Sequence, residues 1–186
     1  MDIEKFTERS KGFLQAASTI AIREFHQPLT PEPLLKALQV DKEGAAGGLI
    51  RAAGGDDRAA RLAVDGEVAK LPKVQGSGAQ GQPQITPALV RVLDAAQQAA
   101  QKAGDEYVAQ DRLLIALAGA EAAAVRALKA GGVSAQALEK AVADIRKGRK
   151  VTSQNAEASF EALKKYARDV TAIAREGKLD PVIGRD

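Results

Sequence analysis

The residue types that usually carry catalysis are almost absent from this chain. It contains one histidine, His26, and no cysteine. A zinc site needs several nitrogen or sulfur ligands, and a nucleophilic site needs a nucleophile with a base beside it, so neither chemistry has its parts. No acidic pair stands with other catalytic residue types at a telling spacing. The sequence therefore predicts no catalytic residue and no metal site, and it favours a binding domain over an enzyme.

One glycine-rich stretch matches the spacing of a dinucleotide-binding loop. Gly76, Gly78 and Gly81 form the pattern Gly-x-Gly-x-x-Gly. That pattern binds a pyrophosphate only when an apolar strand precedes it and a helix follows it inside a βαβ unit. The surrounding residues 71–83 are instead rich in Gly, Pro and Gln, which is typical of a linker. We therefore interpret the stretch as a connection and not as a cofactor site.

The elements that would shape a binding surface are duplicated. A shift of 79 residues superimposes residues 34–38 on residues 113–117, and both read Leu-Leu-x-Ala-Leu. The same shift aligns an acid two residues before each pattern, Glu32 and Asp111, and gives nine identities across positions 7 to 40. Composition alone would give about three. The chain therefore contains two copies of one structural unit.

Caps and apolar spacing predict four helices in each copy. Thr7 caps a helix that runs to about residue 25, and Thr30 followed by proline caps the next helix, around residues 34–38. Thr86 followed by proline opens the second copy, and Ser134 caps its last helix. The predicted fold class is all-α, with eight helices in two four-helix repeats, at about 7–71 and 86–146, packed about a pseudo-twofold axis. The remaining five helices are predicted around residues 49–53, 57–71, 113–117, 125–130 and 134–145.

Composition fits packed helices in a reducing compartment. Aromatic residues make up only 3% of the chain, so leucine, valine and alanine must build the core. The N-terminus has no apolar signal segment and no run is long enough to span a bilayer, so we expect a cytoplasmic protein without membrane contact. The net charge is +3 and the pI is about 9.2. Because the basic residues are scattered among 24 acids, nucleic-acid binding is an alternative that rests on the pI alone.

An apolar groove is the simplest binding device for such a fold. Leu14, Leu93 and Leu113 would line a groove if the first helices of both copies met the second Leu-Leu helix. The same periodic leucines are also what an ordinary helical core requires. Both interpretations stay open at this point.

The character of the chain changes after residue 145. Residues 146–155 are charged and then polar, which is typical of a flexible linker, and we place that linker at 147–158. Phe160, Leu163, Tyr166, Val170 and Ile173 then predict a further amphipathic helix. Residues 1–146 are therefore expected to form one domain, and residues 159–186 to start another module.

Two parts of the sequence resemble one known family. The duplicated unit, with a capping threonine on one helix and Leu-Leu-x-Ala-Leu in the next, resembles the Clp N-terminal repeat. Residues 163–186, which end in Gly-Lys-Leu-Asp-Pro-Val-Ile-Gly-Arg-Asp, look like the start of the first AAA+ module of Clp ATPases. Residues 71–76 and 104–108 are most similar to the disaggregase branch of the family, whereas residues 5–9 resemble a protease-associated branch.

The resemblance implies a mobile substrate-collecting domain on a hexameric, ATP-driven threading machine. Such a machine extracts unfolded or aggregated proteins together with the DnaK chaperone system, and it forms a homohexamer through its AAA+ modules. Val182 and Ile183 match the family segment that lines the adenine pocket. The resemblance therefore implies ATP and Mg as cofactors of the full-length protein, and no cofactor for the 186-residue chain by itself. The domain alone is expected to be a monomer without ATPase activity. The alternative function is docking of adaptors and substrates on a protease-associated Clp ATPase.

Three polar positions that the family associates with substrate handling match Thr7, Asp105 and Asp111 here. Each also has a structural explanation, since Thr7 is a good N-cap and the two acids suit a turn and a first helical turn. The position after Asp111, usually apolar in the family, is Arg112 in this chain. Together with the three leucines, these polar residues are the predicted substrate-binding set.

Overall fold

The computed structural model describes residues 2–41, 44–73, 83–120 and 123–155. Several predicted features lie outside the described residues: the glycine motif at 76–81, the last linker residues 156–158, and the AAA+ segment with Val182 and Ile183. None of the helices in the described ranges is long and apolar enough to cross a membrane.

Eight α-helices account for most of the described residues, which confirms the predicted all-α class. A single 3₁₀ turn (Ile3–Lys5) and two short strands, β1 (Pro28–Leu29) and β2 (Gln84–Ile85), are elements that the sequence analysis did not predict. The helices are α1 (Glu8–Arg23), α2 (Pro31–Val40), α3 (Ala46–Ala52), α4 (Asp57–Ala69), α5 (Pro87–Lys102), α6 (Gln110–Ala118), α7 (Ala123–Ala130) and α8 (Ala135–Arg146).

Three of the four helix starts predicted from capping residues have the expected hydrogen bond. Thr7, Thr86 and Ser134 are the N-caps of α1, α5 and α8, and each side-chain oxygen accepts the backbone N–H three residues further on. Such a cap satisfies one of the N–H groups that the first turn of a helix leaves without a partner. These three predictions are confirmed.

The predicted side-chain cap at Thr30 is wrong, although α2 begins where it was expected. The Thr30 hydroxyl makes no capping hydrogen bond and is buried without a partner among the described residues. A capping side chain accepts from the second or third N–H of the helix, and the third position of α2 is Pro33, which has no N–H to donate. Pro31 at the first position fixes the backbone for the helix start instead.

The two halves are joined by an exchange of extended residues. Phe6, ahead of α1, pairs in parallel with Val108, in the loop before α6. Ile85, ahead of α5, pairs in the same sense with Leu29, before α2. The 79-residue shift converts one pair into the other, because position 6 maps to 85 and position 29 to 108. In each half, the residue just before the first helix therefore pairs with the loop before the second helix of the other half, as a pseudo-twofold arrangement requires.

The two Leu-Leu helices, α2 and α6, lie at the centre of one core. The buried faces of the other helices join them in a single apolar cluster. Because both halves contribute to that cluster, apolar burial at about 25 cal/mol per Å² stabilises the association of the halves as well as each half. The enclosed leucines of α2 and α6 are Leu34, Leu35, Leu38, Leu113, Leu114 and Leu117.

A close backbone contact joins the two halves at Gly131. The Gly131 carbonyl accepts the N–H of Asp56 at 2.7 Å. A Cβ added at Gly131 would lie 2.7 Å from the Cβ of Ala60 and 2.9 Å from the Asp56 carbonyl oxygen, closer than side chains approach in proteins. Only glycine fits this crossing without moving α4.

We therefore expect Gly131→Ala to lower the free energy of unfolding by about 1–3 kcal/mol, the usual cost of overpacking. Gly66→Ala is the matched control, because a Cβ at Gly66 in α4 meets nothing within 4 Å. That control should raise the free energy of unfolding by about 0.5–1 kcal/mol, since alanine favours a helix over glycine. Urea denaturation measures the free energy of unfolding of both variants. A change of the same sign in Gly131→Ala and Gly66→Ala would contradict the prediction.

Candidate functional site

The three predicted polar residues lie in or beside one loop, residues 105–109, between α5 and α6. Helix α5 ends where Gly104 adopts a left-handed φ of 85°. The Asp105 N–H then donates to the Ala100 carbonyl at 2.8 Å, which closes a common helix C-terminal motif. Asp111 lies in the first turn of α6 on the far side of the loop. The loop is therefore held between two helix ends.

Arg146, the last residue of α8, holds the two acids together. Its Nε and Nη2 donate to the Asp111 carboxylate at 2.8 Å, and its Nη1 donates to the Asp105 carboxylate at 2.8 Å. Arg112 Nε lies 3.4 Å from Asp105 as well. Burial alone lowers the pKa of Arg146, but the two carboxylates outweigh burial and leave that pKa above its ordinary value. The Asp105 side chain is completely buried, so this acid faces the arginine and not the solvent.

Thr7 secures the same loop from the side of α1. Its hydroxyl accepts the Ser10 N–H at 3.1 Å and donates to the Ser10 hydroxyl at 3.0 Å. The Ser10 hydroxyl donates in turn to the Val108 carbonyl at 2.8 Å, and the Thr7 N–H donates to that carbonyl at 3.1 Å. Both side chains are fully buried. Thr7 thus shapes the loop from within the protein.

The first residues of the predicted linker pack against this loop. Val151 is fully buried, its carbonyl accepts the Glu106 N–H at 2.8 Å, and its own N–H donates to Asp105 Oδ1 at 3.0 Å. Further on, the Gln154 carbonyl accepts the Glu8 N–H at 3.0 Å. In the described part of the chain, the segment 149–155 therefore lies along the domain, past the boundary predicted at residue 146.

Sequence reasoning missed Arg146 as the residue that organises this site. It was assigned to the charged stretch that begins the linker, where a basic residue is usually solvated. The usable signal was its position four residues after Val142 and eight after Leu138, on the buried face of α8. An arginine on an apolar face needs buried acids as partners, and Asp105 and Asp111 are those partners.

The three leucines predicted to line a groove do not come together on the surface. Leu93 and Leu113 are completely buried, and Leu14 is half-buried against the core. A groove lined by Leu93 and Leu113 would require the core to open. Next to the loop, the structure has a mainly polar cavity of about 300 Å³, whose lining includes Lys5, Gln97 and Tyr107.

A larger and more apolar groove lies between α1 and α2. Its volume is about 540 Å³, and its floor consists of Gly12, Phe13, Ala16, Ala37 and the half-exposed Val40. Charged groups stand at its rim, where an Arg9 guanidinium nitrogen lies 3.6 Å from the Asp41 carboxylate. We call this the α1/α2 groove.

The second half has a smaller version of the same groove. It lies between α5 and α6, has a volume of about 330 Å³, and includes Val92, Ala95 and Ala116 in its lining. The 79-residue shift maps Phe13, Ala16 and Ala37 onto these residues, and it maps Gly12 onto Arg91. Duplication thus produced two related grooves, of which the first has more volume and a glycine where the second has an arginine.

His26, the one histidine, is buried at the turn after α1. Burial lowers its pKa below the ordinary value of 6.5; Lys73 acts in the same direction and Glu24 opposes the shift. Neither ring nitrogen has a hydrogen-bond partner among the described residues. A neutral imidazole is therefore favoured at this position.

Comparison with protein families and curated proteins places the chain among related sequences. Residues 5–131 match the family described as the Clp repeat (R) N-terminal domain. The chain is 52% identical over 187 residues to the "Chaperone protein ClpB" of Rhodopseudomonas palustris and 54% identical over 187 residues to that of Agrobacterium fabrum. Both alignments cover 100% of this chain and 21% of the relative. The chain thus spans about a fifth of the length of these chaperones.

Solved structures agree on the fold. The Hsp104 N-terminal domain from Candida albicans superimposes with a TM-score of 0.71 at 21% identity, covering 82% of this chain and 98% of that domain. The N-domain of ClpV from Vibrio cholerae superimposes with a TM-score of 0.62 at 20% identity, covering 76% and 84%. At such identities the likeness concerns the fold alone.

Replacing Arg146 by methionine should leave the buried Asp105 and the partly buried Asp111 carboxylates without their main partner. We expect Arg146→Met to lower the free energy of unfolding by about 3–5 kcal/mol, the usual effect of breaking a buried ion pair from one side. Lys140→Met is the control, because Lys140 is an exposed cation on the same helix. Denaturant titration measures the free energy of unfolding of both variants. An equal loss in Arg146→Met and Lys140→Met would contradict the expectation.

His26 should make the domain less stable in mild acid. Its folded-state pKa lies below 6.5, so below about pH 6.5 the unfolded chain binds a proton that the folded chain resists, and the stability rises with pH. We expect the wild type to lose more stability than His26→Gln between about pH 7.5 and pH 5. Because the carboxylates are the same in both proteins, the difference between their denaturation curves reports the contribution of His26. Equal losses of stability in the wild type and in His26→Gln would contradict this role.

Proposed function

The chain belongs to the Clp repeat (R) N-terminal domain family, and we propose that it is the substrate-binding N-terminal domain of an ATP-dependent disaggregase chaperone. In this function it holds exposed apolar stretches of unfolded or aggregated polypeptide and passes them to an AAA+ ring. The named relatives, chaperones that match over the whole of this chain, support the assignment.

The observation that carries the proposal is the α1/α2 groove. Its lining is mainly apolar, with the exposed Gly12 and the half-exposed Val40 at the surface and the buried Phe13 and Ala37 beneath them. Small floor residues leave room for side chains of different shapes, which a binder of many sequences requires. The groove buries little area and the polypeptide loses conformational freedom on binding, so we expect micromolar to millimolar affinity.

The ATP-binding and assembly parts of the proposed machine lie outside the residues that the structure describes. ATP and Mg would bind to AAA+ modules, with Val182 and Ile183 contributing to the adenine pocket of the first. A homohexamer assembled through those modules would present six copies of this domain, and avidity would compensate for weak single contacts. Cooperation with the DnaK system and a cytoplasmic location complete the proposal. The isolated domain would be a monomer without ATPase activity.

Filling the groove without disturbing the fold tests the proposal. Gly12 lies in the groove, and a Cβ added there meets nothing within 4 Å. We expect Gly12→Leu to weaken binding of unfolded casein by about tenfold, because the new side chain occupies the apolar floor. Fluorescence anisotropy with labelled casein measures the effect.

Gly66→Leu is the matched control, since Gly66 is also an exposed helical glycine with nothing within 4 Å of an added Cβ. Both substitutions should stabilise their helices by about 0.5–1 kcal/mol, so unfolding cannot mimic lost binding. Val40→Asp in the groove and Leu62→Asp on α4 give a second pair. Equal casein affinity of all four variants and the wild type would rule out the groove as the client site.

A further inference from the structure

The duplicated fold presents the same backbone edge twice. We define the first edge as residues 26–29 with Ile85, and the second edge as residues 105–108 with Phe6. In each, the loop after a helix pairs in parallel with the residue that precedes the first helix of the other half. The backbone bonds also correspond, because the His26 N–H donates to Ala21 O at 2.7 Å as the Asp105 N–H does to Ala100 O.

The second edge is occupied by the chain itself. Within segment 149–155, Lys150 and Val151 lie against it, and the Val151 side chain is enclosed. The Val151 carbonyl accepts from Glu106 N–H and its N–H donates to Asp105, while Lys150 Nζ donates to the Ala103 carbonyl at 2.6 Å. One basic residue and one β-branched apolar residue thus make the main contacts.

The first edge leaves apolar side chains exposed. Ile22, Phe25 and Ile85 are 47%, 56% and 50% exposed. At the second edge their counterparts are Gln101, Gly104 and the fully buried Phe6. After α4 the described chain does not repeat the contacts of Val151; Lys73 approaches through its side chain, with its Nζ 3.8 Å from the Glu24 carboxylate.

Two further features at the first edge indicate a binding role. Phe25 has a left-handed φ of 62°, at the position where the second half has glycine, and a bulky residue held in this conformation costs stability. His26 replaces Asp105, and its ring nitrogens are buried and without hydrogen-bond partners among the described residues. An exposed ring and an unpartnered buried side chain therefore stand next to each other.

We propose that the first edge binds an extended segment of client polypeptide in the way that the second edge holds residues 149–155. This inference rests on the proposed function and names a second contact for the client. The segment would carry a β-branched apolar residue that packs on Ile22, Phe25 and Ile85. Its backbone would pair with the Gln27 N–H, the counterpart of Glu106, and with the imidazole of His26.

The favoured segment has a basic residue before the apolar one. Lys150 contacts the Ala103 carbonyl at the end of α5, and the counterpart of Ala103 is Glu24. The Glu24 carboxylate, which Lys73 approaches at 3.8 Å, therefore places a negative charge where a basic side chain of the segment would lie, and that side chain would share it with Lys73. The connection between the halves, residues 74–82, is Gln- and Gly-rich in sequence, with Val74 as its only large apolar residue, so its composition complements the exposed patch poorly.

A peptide copied from the chain tests the proposal. The peptide Arg-Lys-Val-Thr-Ser-Gln-Asn has the sequence of residues 149–155. Because the second edge already holds its own segment, the peptide should cause NMR shifts at Ile22, Phe25, His26 and Ile85 of the 186-residue chain. A peptide with Asp in place of Val should not, because the patch is apolar.

The decisive variant is Phe25→Gly, which gives the first edge the residue found in the second. Glycine accepts a positive φ without strain, so the melting temperature should hold or rise while peptide affinity falls about fivefold or more. Leu62→Ala, which removes an exposed leucine of α4, should leave peptide affinity unchanged. Unfolding cannot explain such a pattern.

Several results would overturn the inference. The first two are an absence of NMR shifts at millimolar peptide and NMR shifts confined to residues of the α1/α2 groove. The other two are equal affinity of the domain for the Asp and Val peptides, and an unchanged peptide affinity in Phe25→Gly. Binding that occurs only after residues 74–82 are replaced by a Gly-Ser linker would show that the chain's own connection is the occupant. Casein binding that is lost in Gly12→Leu but intact in Phe25→Gly would refute this inference and retain the proposed function. Lack of casein binding by the wild type would refute the proposed function, whereas the peptide shifts would still report on the edge.

Discussion

The exchange of extended residues between the halves is the constraint on which the rest of the structure depends. Two carbonyls, those of Val108 and Leu29, lie at the centre of the exchange, and each accepts a backbone N–H and a hydroxyl from the opposite half. Buried backbone groups need such partners. Because the hydroxyl partners lie 98 and 57 positions away in the sequence, neither half can satisfy its turn alone, and the two repeats form one cooperative unit.

The buried ion cluster builds on this exchange. Arg146 can leave water only because Asp105 and Asp111 both face it and hydrogen-bond to it. The carboxylates of Asp105 and Asp111 are therefore engaged by Arg146 and hold the loop in place. Asp105 also binds the backbone of Val151, so the same cluster determines where the chain runs after the last helix.

The two halves kept their core and diverged at their surfaces. The Leu-Leu helices are enclosed in both copies, whereas one edge is covered by residues 149–155 and the other exposes Ile22, Phe25 and Ile85. The grooves differ in the same manner, since Phe13 and Gly12 in the first correspond to Val92 and Arg91 in the second. Packing fixes core residues in both copies, while surface positions can change without loss of the fold. The binding proposals accordingly concern features of the first half.

The sequence by itself determined the duplication, the all-α class, the helix order and three of the four capping threonine or serine predictions, because these depend on local periodicity and local hydrogen bonds. It also singled out Thr7, Asp105 and Asp111 as special positions. Only the tertiary structure decided what those residues do. The partner of both acids, Arg146, is 41 and 35 residues away, and the carbonyl that Thr7 and Ser10 share belongs to Val108. The grooves and the open edge likewise arise where distant segments meet, and no local pattern specifies which side chains such meetings bury and which they leave exposed.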